Sequence, residues 1–144
     1  ANWRTSMTTP ILYSFRRCPY AMRARLAILA AGVPVELREV VLRDKPEAFL
    51  AASPSATVPA LVTHTGCIDE SLEIMQWALA QNDPESWRDM PPEGADWIAR
   101  ADGPFKHALD RTKYGTRYPG EDPLQHRNDA ATTSKYDFSP VCGA

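Results

Sequence analysis

The sequence predicts an α/β layer domain with the element order β-α-β-α-β-β-α, followed by an incomplete all-α segment. Three observations predict it. Short apolar strand-like runs alternate with helically spaced ones between residues 10 and 83. A proline, Pro59, stands directly before the third apolar run, where a strand can begin without a ladder N–H. After Tyr114 the aliphatic residues thin out, which leaves too little to build a second core.

The elements follow in order. Ile11 to Phe15 is a buried strand. Met22, Leu26, Leu29 and Ala30 share one face of a helix, and Gly32 followed by Pro34 stops it. Val35, Leu37 and Val41 lie on one face of a second strand, with Glu36 and Arg38 on the other. Strand, helix, strand implies a parallel pair joined by a right-handed crossover. Arg43-Asp44-Lys45-Pro46 breaks the pattern, Glu47 to Ala52 suits a short helix, and Ser53-Pro54 closes it. Ala60-Leu61-Val62 forms a strand, His64-Thr65-Gly66 a hairpin turn, and Cys67-Ile68 the return strand. Asp69-Glu70-Ser71 offers capping side chains to a helix carrying Leu72, Ile74, Met75, Ala78 and Leu79, which Asn82-Asp83-Pro84 ends.

Pro91-Pro92-Glu93-Gly94 marks a linker. Asp96 to Ala101 makes a helical turn or two. Asp102-Gly103-Pro104 then resembles a fresh helix start, with Asp102 as cap and Pro104 in the first turn, before Phe105, Ala108, Leu109 and Thr112. The expected organisation is a flexible leader at 1–9, an α/β domain at 10–84, a linker and helical start at 85–131, and an irregular tail at 132–144.

Composition excludes several classes. The 144 residues are 44% hydrophobic and 24% charged, with a net charge of −2. That balance gives no electrostatic case for nucleic acid or an anionic membrane surface. No run of about 18 apolar residues is present to span a bilayer. Residues 1–9 lack a signal-peptide core. The cysteines, at 18, 67 and 142, are too few and too scattered for a disulfide framework or a zinc site. A reducing cytoplasm is the expected compartment, with no metal.

Chemistry concentrates at Phe15-Arg16-Arg17-Cys18-Pro19-Tyr20-Ala21-Met22-Arg23. Cys18 sits where a strand hands over to a helix, and Pro19 fits the first helical position. The helix dipole and Arg16, Arg17 and Arg23 bring positive charge to the sulfur, and such surroundings favour the reactive thiolate. A small, inert structural cysteine is the competing reading. Strand end, proline and basic flank together favour the reactive one.

Arg17-Cys18-Pro19-Tyr20, Asp44-Lys45-Pro46-Glu47-Ala48-Phe49, Thr57-Val58-Pro59 and Asp69-Glu70-Ser71, in this order and spacing, resemble the thioredoxin-like N-terminal domain of glutathione S-transferases. The likeness is to cysteine-type, omega-like members and two-domain glutaredoxins. A weaker similarity over 103–110 resembles the start of the family's helical C-terminal domain.

The resemblance implies glutathione as co-substrate and Cys18 as the catalytic nucleophile. Ala21 occupies the position of a second cysteine, so the route within this motif is monothiol, with a second glutathione resolving the mixed disulfide. The family's proline is cis, which puts Val58 and Pro59 at the thiol, with the Val58 backbone offered to the glutathione cysteinyl unit. Glu70 and Ser71 match the family's pair for the γ-glutamyl end: Ser71 and the helix amides for the carboxylate, Glu70 for the ammonium. Capping alone is the other reading of that pair. Lys45 matches a lysine that reaches the glycyl carboxylate, and is otherwise a solvated loop charge. Tyr20 is a wall beside the thiol. Tyr13 is core, His64 a turn residue and His107 an exposed helix residue.

Two departures from the family stand out. Ser55-Ala56 replaces a common lysine-glycine before Thr57, and alanine is disfavoured if that position needs positive φ. The family's chain also exceeds 200 residues, and its pattern fails here near Asn128 to Ala131, which reads as a truncation or frame change. Helix faces that a second domain covers would then be partly exposed and favour self-association, a homodimer included. The resemblance therefore implies a glutathione-dependent thiol transferase or reductase acting on a disulfide or electrophile, small or protein. Against it stand glutathione conjugation, a non-catalytic interaction module, and an inactive truncated member.

Overall fold

A computed structural model describes residues 9–134. The expectations for the leader before Thr9 and for 135–144 lie outside the described residues. Two compact units divide between Asp89 and Met90.

The first unit is a four-stranded sheet in the order β2-β1-β3-β4. β1 is Ile11–Ser14, α1 Pro19–Ala31, β2 Glu36–Glu39, α2 Glu47–Ala52, β3 Ala60–Thr63, β4 Gly66–Ile68 and α3 Ser71–Gln81. β1 and β2 run parallel, with Ile11 opposite Glu36 and Leu12 opposite Leu37. β1 and β3 run antiparallel, Leu12 facing Leu61, and β3 turns back into β4. The β-α-β-α-β-β-α order expected from the sequence is the order observed.

Alternation along β1 divides the core between the two faces of the sheet. Leu12 and Leu61 face α1 and α3, where Ala24, Ala27, Ile28, Ile74 and Ala78 close over them. Tyr13 and Ala60 face Phe49 of α2, with Val40 beside them. Tyr13 and Phe49 stack at 5.1 Å in a tilted pair, so Tyr13 is core as its strand position implies.

The buried face of α1 corrects the expected one. The stripe Met22, Leu26, Leu29 points away from the sheet, with Leu29 77% exposed. Ala21, Ala24, Ala27, Ile28 and Ala31 are buried instead. Small side chains let the helix backbone sit close to both the sheet and α3, whereas leucines at those positions would hold it off. Gly32 ends the helix at φ +68, the left-handed C-terminal conformation that glycine adopts without a Cβ penalty. The Asn82 amide then donates to the Ala31 carbonyl at 2.8 Å, tying the end of α3 to the end of α1.

The second unit, from Met90, holds α4 (Gly94–Arg100), α5 (Lys106–Lys113) and α6 (Pro123–Thr133). Asp102-Gly103-Pro104 does not start a helix. A π-helical turn over Ala101–Phe105 carries the chain from α4 straight into α5, with Pro104 inside it. Proline lacks an N–H and its ring collides with the carbonyl four residues back; the wider turn relieves both. The segment after Tyr114 is also more ordered than its aliphatic content implies. Pro123 takes the first helical position of α6, and the Asp122 carboxylate accepts the Leu124 N–H at 2.9 Å. Polar pairing supplements the buried Ala108 and Ala130. Glu121 meets both Arg111, at 2.9 Å, and His126, at 2.7 Å. Helix continues through Asn128 to Ala131.

Candidate active site

Cys18 is the N-cap of α1, with extended backbone and Pro19 at the first helical position. Its N–H donates to Phe15 O at 3.0 Å, and its carbonyl accepts the Met22 N–H at 2.9 Å. These two bonds fix the cysteine at the junction of β1 and α1, where the positive end of the helix dipole lies. The sulfur is half-buried and stands 3.9 Å from the carbonyl oxygen of Val58, a long S–H···O contact. The Val58–Pro59 bond is cis. Val58 precedes the paired stretch of β3, so strand pairing does not occupy its backbone. The structure thus brings Cys18, Val58 and Pro59 together.

Ala56 adopts φ +53, a left-handed conformation that costs an alanine more than a glycine. The conditional expectation from Ser55-Ala56 therefore applies: the loop takes the positive φ without the glycine. Lys45 Nζ donates to the Ala56 carbonyl at 2.9 Å. Ser55 and Thr57 hydroxyls hydrogen-bond each other across it at 2.7 Å. Lys45 is thus engaged with the loop that carries Val58 rather than being a solvated loop charge.

At the third corner, Glu70 is the N-cap of α3 and Ser71 its first helical residue. The expected side-chain cap is absent: Glu70 makes no capping bond and is exposed. A glutamate is one methylene too long to be a favoured N-cap, and it projects into solvent instead. Ser71 is 4% exposed, and its hydroxyl accepts from Arg23 Nε at 2.9 Å. The Arg23 guanidinium also lies 4.9 Å over the half-buried ring of Tyr20. Tyr20 is therefore a packing surface for Arg23, two residues from the thiol.

Sequence reasoning gave Arg23 only a general charge and passed over Arg25. Arg25 donates to the Ser14 hydroxyl and to the carbonyls of Phe15, at 3.4 Å, and Arg16, at 3.2 Å. It clamps the loop that presents Cys18. A signal existed for both. Arginines in the first turns of a helix oppose its dipole, and two of them in α1 imply specific acceptors nearby. Arg16 and Arg17 are exposed on that loop, the Arg16 N–H bonded to the Glu39 carboxylate at 2.7 Å.

Cys67 is the other described thiol. Partial burial pushes its pKa up, the charge of Asp69 adds to the rise, and a hydrogen bond with Ser53 opposes it. It packs with Tyr13, Phe49 and Ala60 on the α2 face of the sheet. His64 sits exposed in the β3–β4 turn and His107 exposed on α5. Among the described residues no group of three or more histidines, cysteines or carboxylates could hold a metal ion, and no helix is long and apolar enough to cross a membrane.

Comparison with known proteins identifies the family and the fold. Residues 12–87 match the family model for the glutathione S-transferase N-terminal domain. A probable glutathione transferase of Aplysia californica is 35% identical over 95 residues, which cover 65% of this chain and 98% of that protein. Glutathione S-transferase omega-1 of Sus scrofa is 38% identical over 55 residues, 38% of this chain and 23% of the relative. The solved structure of glutathione transferase Omega 3C from Trametes versicolor superposes with a TM-score of 0.71 at 21% identity, over 88% of this chain and 59% of that one. The chain spans almost all of the first of these proteins and under two thirds of the other two. Sheet order, helix placement and the family model agree: the chain belongs to the glutathione S-transferase family, with an omega-like, thioredoxin-fold N-terminal domain.

Proposed function

We propose that this chain binds glutathione along the Val58 backbone and the start of α3, and uses Cys18 as a monothiol nucleophile in glutathione-dependent thiol transfer. The observation that carries the reading is the placement of the Cys18 sulfur, at a helix N-terminus and 3.9 Å from the Val58 carbonyl. A cysteine cap on a helix is suited to nucleophilic sulfur chemistry. The Aplysia relative's name, a probable glutathione transferase, supports the same class.

The chain's residues divide the work. Val58 pairs its backbone with the cysteinyl unit of the tripeptide, and Pro59 holds that backbone toward the thiol. Ser71, with the first amides of α3, receives the γ-glutamyl carboxylate, and Glu70 pairs with the α-ammonium. Lys45 lies beside the same loop and takes the glycyl carboxylate. Tyr20 walls the thiol. In the first step the Cys18 sulfur attacks the glutathione sulfur of a glutathionylated substrate. A Cys18–glutathione disulfide forms, the substrate disulfide breaks, and the substrate thiolate leaves and takes a proton. Glutathione then attacks the mixed disulfide. Cys18 is released as the thiol, and oxidised glutathione carries away the electron deficit. Ala21 leaves Cys18 no neighbouring thiol to resolve the adduct within the motif, so the second glutathione is obligatory. The chemistry suits a reducing compartment such as the cytoplasm, where glutathione is the available thiol.

Thiol-transfer assay of wild type against Cys18→Ser tests the reading. Loss of transfer in the variant, with retained stabilisation by S-methyl glutathione, supports it. Full activity without the Cys18 sulfur refutes it.

A further inference from the structure

The sheet order sets β1, which leads into Cys18, between β3 on one side and β2 on the other. The β3 side carries Val58, whose carbonyl lies 3.9 Å from the sulfur. The β2 side carries a groove of about 380 Å³, lined by residues of the loop before Cys18 and of the segment leaving β2. Hydrogen bonds fix both walls. The Cys18 N–H donates to Phe15 O at 3.0 Å, and the Val40 N–H to Ser14 O at 2.8 Å. The Asp44 N–H closes a turn onto Val41 O at 2.9 Å. The Arg16 N–H joins the walls through the Glu39 carboxylate, at 2.7 Å.

The lining mixes apolar surface with charge. Phe15, Val41 and Leu42 supply the apolar part, with Val41 59% and Leu42 44% exposed. Arg17 brings an exposed cation from one wall and Arg43 brings another from the second. Glu39 is the opposing charge in the lining, and the Arg16 N–H holds its carboxylate. The groove is thus net positive on a chain whose net charge is −2.

We propose that this groove docks the polypeptide part of the substrate: an acidic segment with apolar residues around a glutathionylated cysteine. The inference rests on the thiol transfer proposed for Cys18 and adds the substrate class to it.

The division of space around the sulfur carries the assignment. Glutathione bound along Val58 takes the β3 side, so a polypeptide joined to its sulfur needs other ground. Arg17 directly precedes Cys18 in the chain, which puts the groove beside the thiol. Cations on two walls with apolar surface in the same lining suit a chain segment that presents several side chains. A small thiol offers only one group. Complementary charge across such a rim selects partners and speeds their encounter, and like charge rejects them.

The test gives the full chain three glutathionylated substrates, with reduced glutathione as the second thiol. One is a peptide with aspartate and leucine flanking the modified cysteine. The second has lysine in place of aspartate. The third is the mixed disulfide of glutathione and mercaptoethanol. At low salt, kcat/KM should favour the acidic peptide over the basic one by about tenfold, the scale of two exposed charge contacts. Salt at about 0.5 M should shrink the preference to about twofold or less. Arg43→Glu should cut the preference by about threefold or more, with the mercaptoethanol disulfide turned over within about twofold of wild type. The double variant Arg17→Glu/Arg43→Glu should favour the basic peptide, a ratio in which any change of thiol reactivity cancels. Equal rates for the two peptides in wild type, or an acidic preference that survives both reversals, would overturn the docking site and leave thiol transfer standing. Failure of wild type to turn over any of the three would overturn thiol transfer and the docking site together.

Discussion

Lys45 Nζ donates a 2.9 Å hydrogen bond to the carbonyl oxygen of Ala56, the residue that holds φ +53 two positions before Val58. One long side chain thus secures the conformation of the loop that faces the thiol. Ala56→Gly removes the Cβ penalty at this φ. It should raise stability by about 1 kcal/mol, read as a rise in Tm of several degrees. Ala56→Val should lower it, because a branched Cβ fits that conformation worse. A fall in Tm for the glycine variant would show that the loop does not carry this strain.

Arg23 and Ser71 join the helix that presents Cys18 to the helix that would receive the γ-glutamyl end, through a 2.9 Å bond at a nearly buried hydroxyl. Arg23→Met keeps the stem and deletes the donor. Stability should fall by about 1.5–3 kcal/mol, the range of a hydrogen bond to a charged group. The thermal shift produced by S-methyl glutathione should shrink in parallel. An unchanged shift would separate the pair from ligand binding. The ligand's effect is read as stabilisation because it binds only the folded chain.

The surroundings of Cys67 predict a pH dependence of definite sign. Its pKa in the folded chain is raised, chiefly by burial and then by Asp69. The protonated thiol is the form the fold favours, so its contribution is fully present below the ordinary thiol value, about 8.5, and is lost as pH rises through the folded value. Urea denaturation at neutral and alkaline pH should show wild type losing more stability than Cys67→Ala over that interval. Equal losses would contradict the assignment.

The two faces of α1 should respond oppositely to substitution. Ala27 is fully buried, whereas Leu29 is 77% exposed. Ala27→Leu should destabilise by about 1–3 kcal/mol through overpacking. Leu29→Gln should stay within about 0.5 kcal/mol, as surface changes do. Denaturant midpoints of the two variants decide the matter; a costly Leu29→Gln would mean the leucine stripe is covered.

The fold of the first unit was legible because its signals are local. Pro59 before an apolar run, Gly32 with Pro34, and the turn at His64-Thr65-Gly66 each constrain the backbone where they stand. The buried face of α1 was not legible, because periodicity favours the largest apolar side chains and the packing here selects the smallest. The π-turn through Pro104 was hidden for a related reason: proline advertises a helix start, and only the preceding α4 shows that the helix is already running. α6 could have been read from Asp122-Pro123, a cap followed by a first-position proline, but its few aliphatic residues concealed it. At the candidate site, Cys18 and Val58 stand in motifs contiguous in sequence, and the structure sets them 3.9 Å apart. The Arg23–Ser71 and Lys45–Ala56 bonds span 48 and 11 residues and required the fold.

The most direct test of the central claim is intact-mass analysis of the chain after exposure to oxidised glutathione, followed by peptide mapping and then by addition of reduced glutathione. A single glutathione adduct on Cys18, absent in Cys18→Ser and released as oxidised glutathione by the second thiol, is the result predicted for a monothiol nucleophile. An adduct confined to another cysteine, or one on Cys18 that reduced glutathione fails to remove, would contradict it.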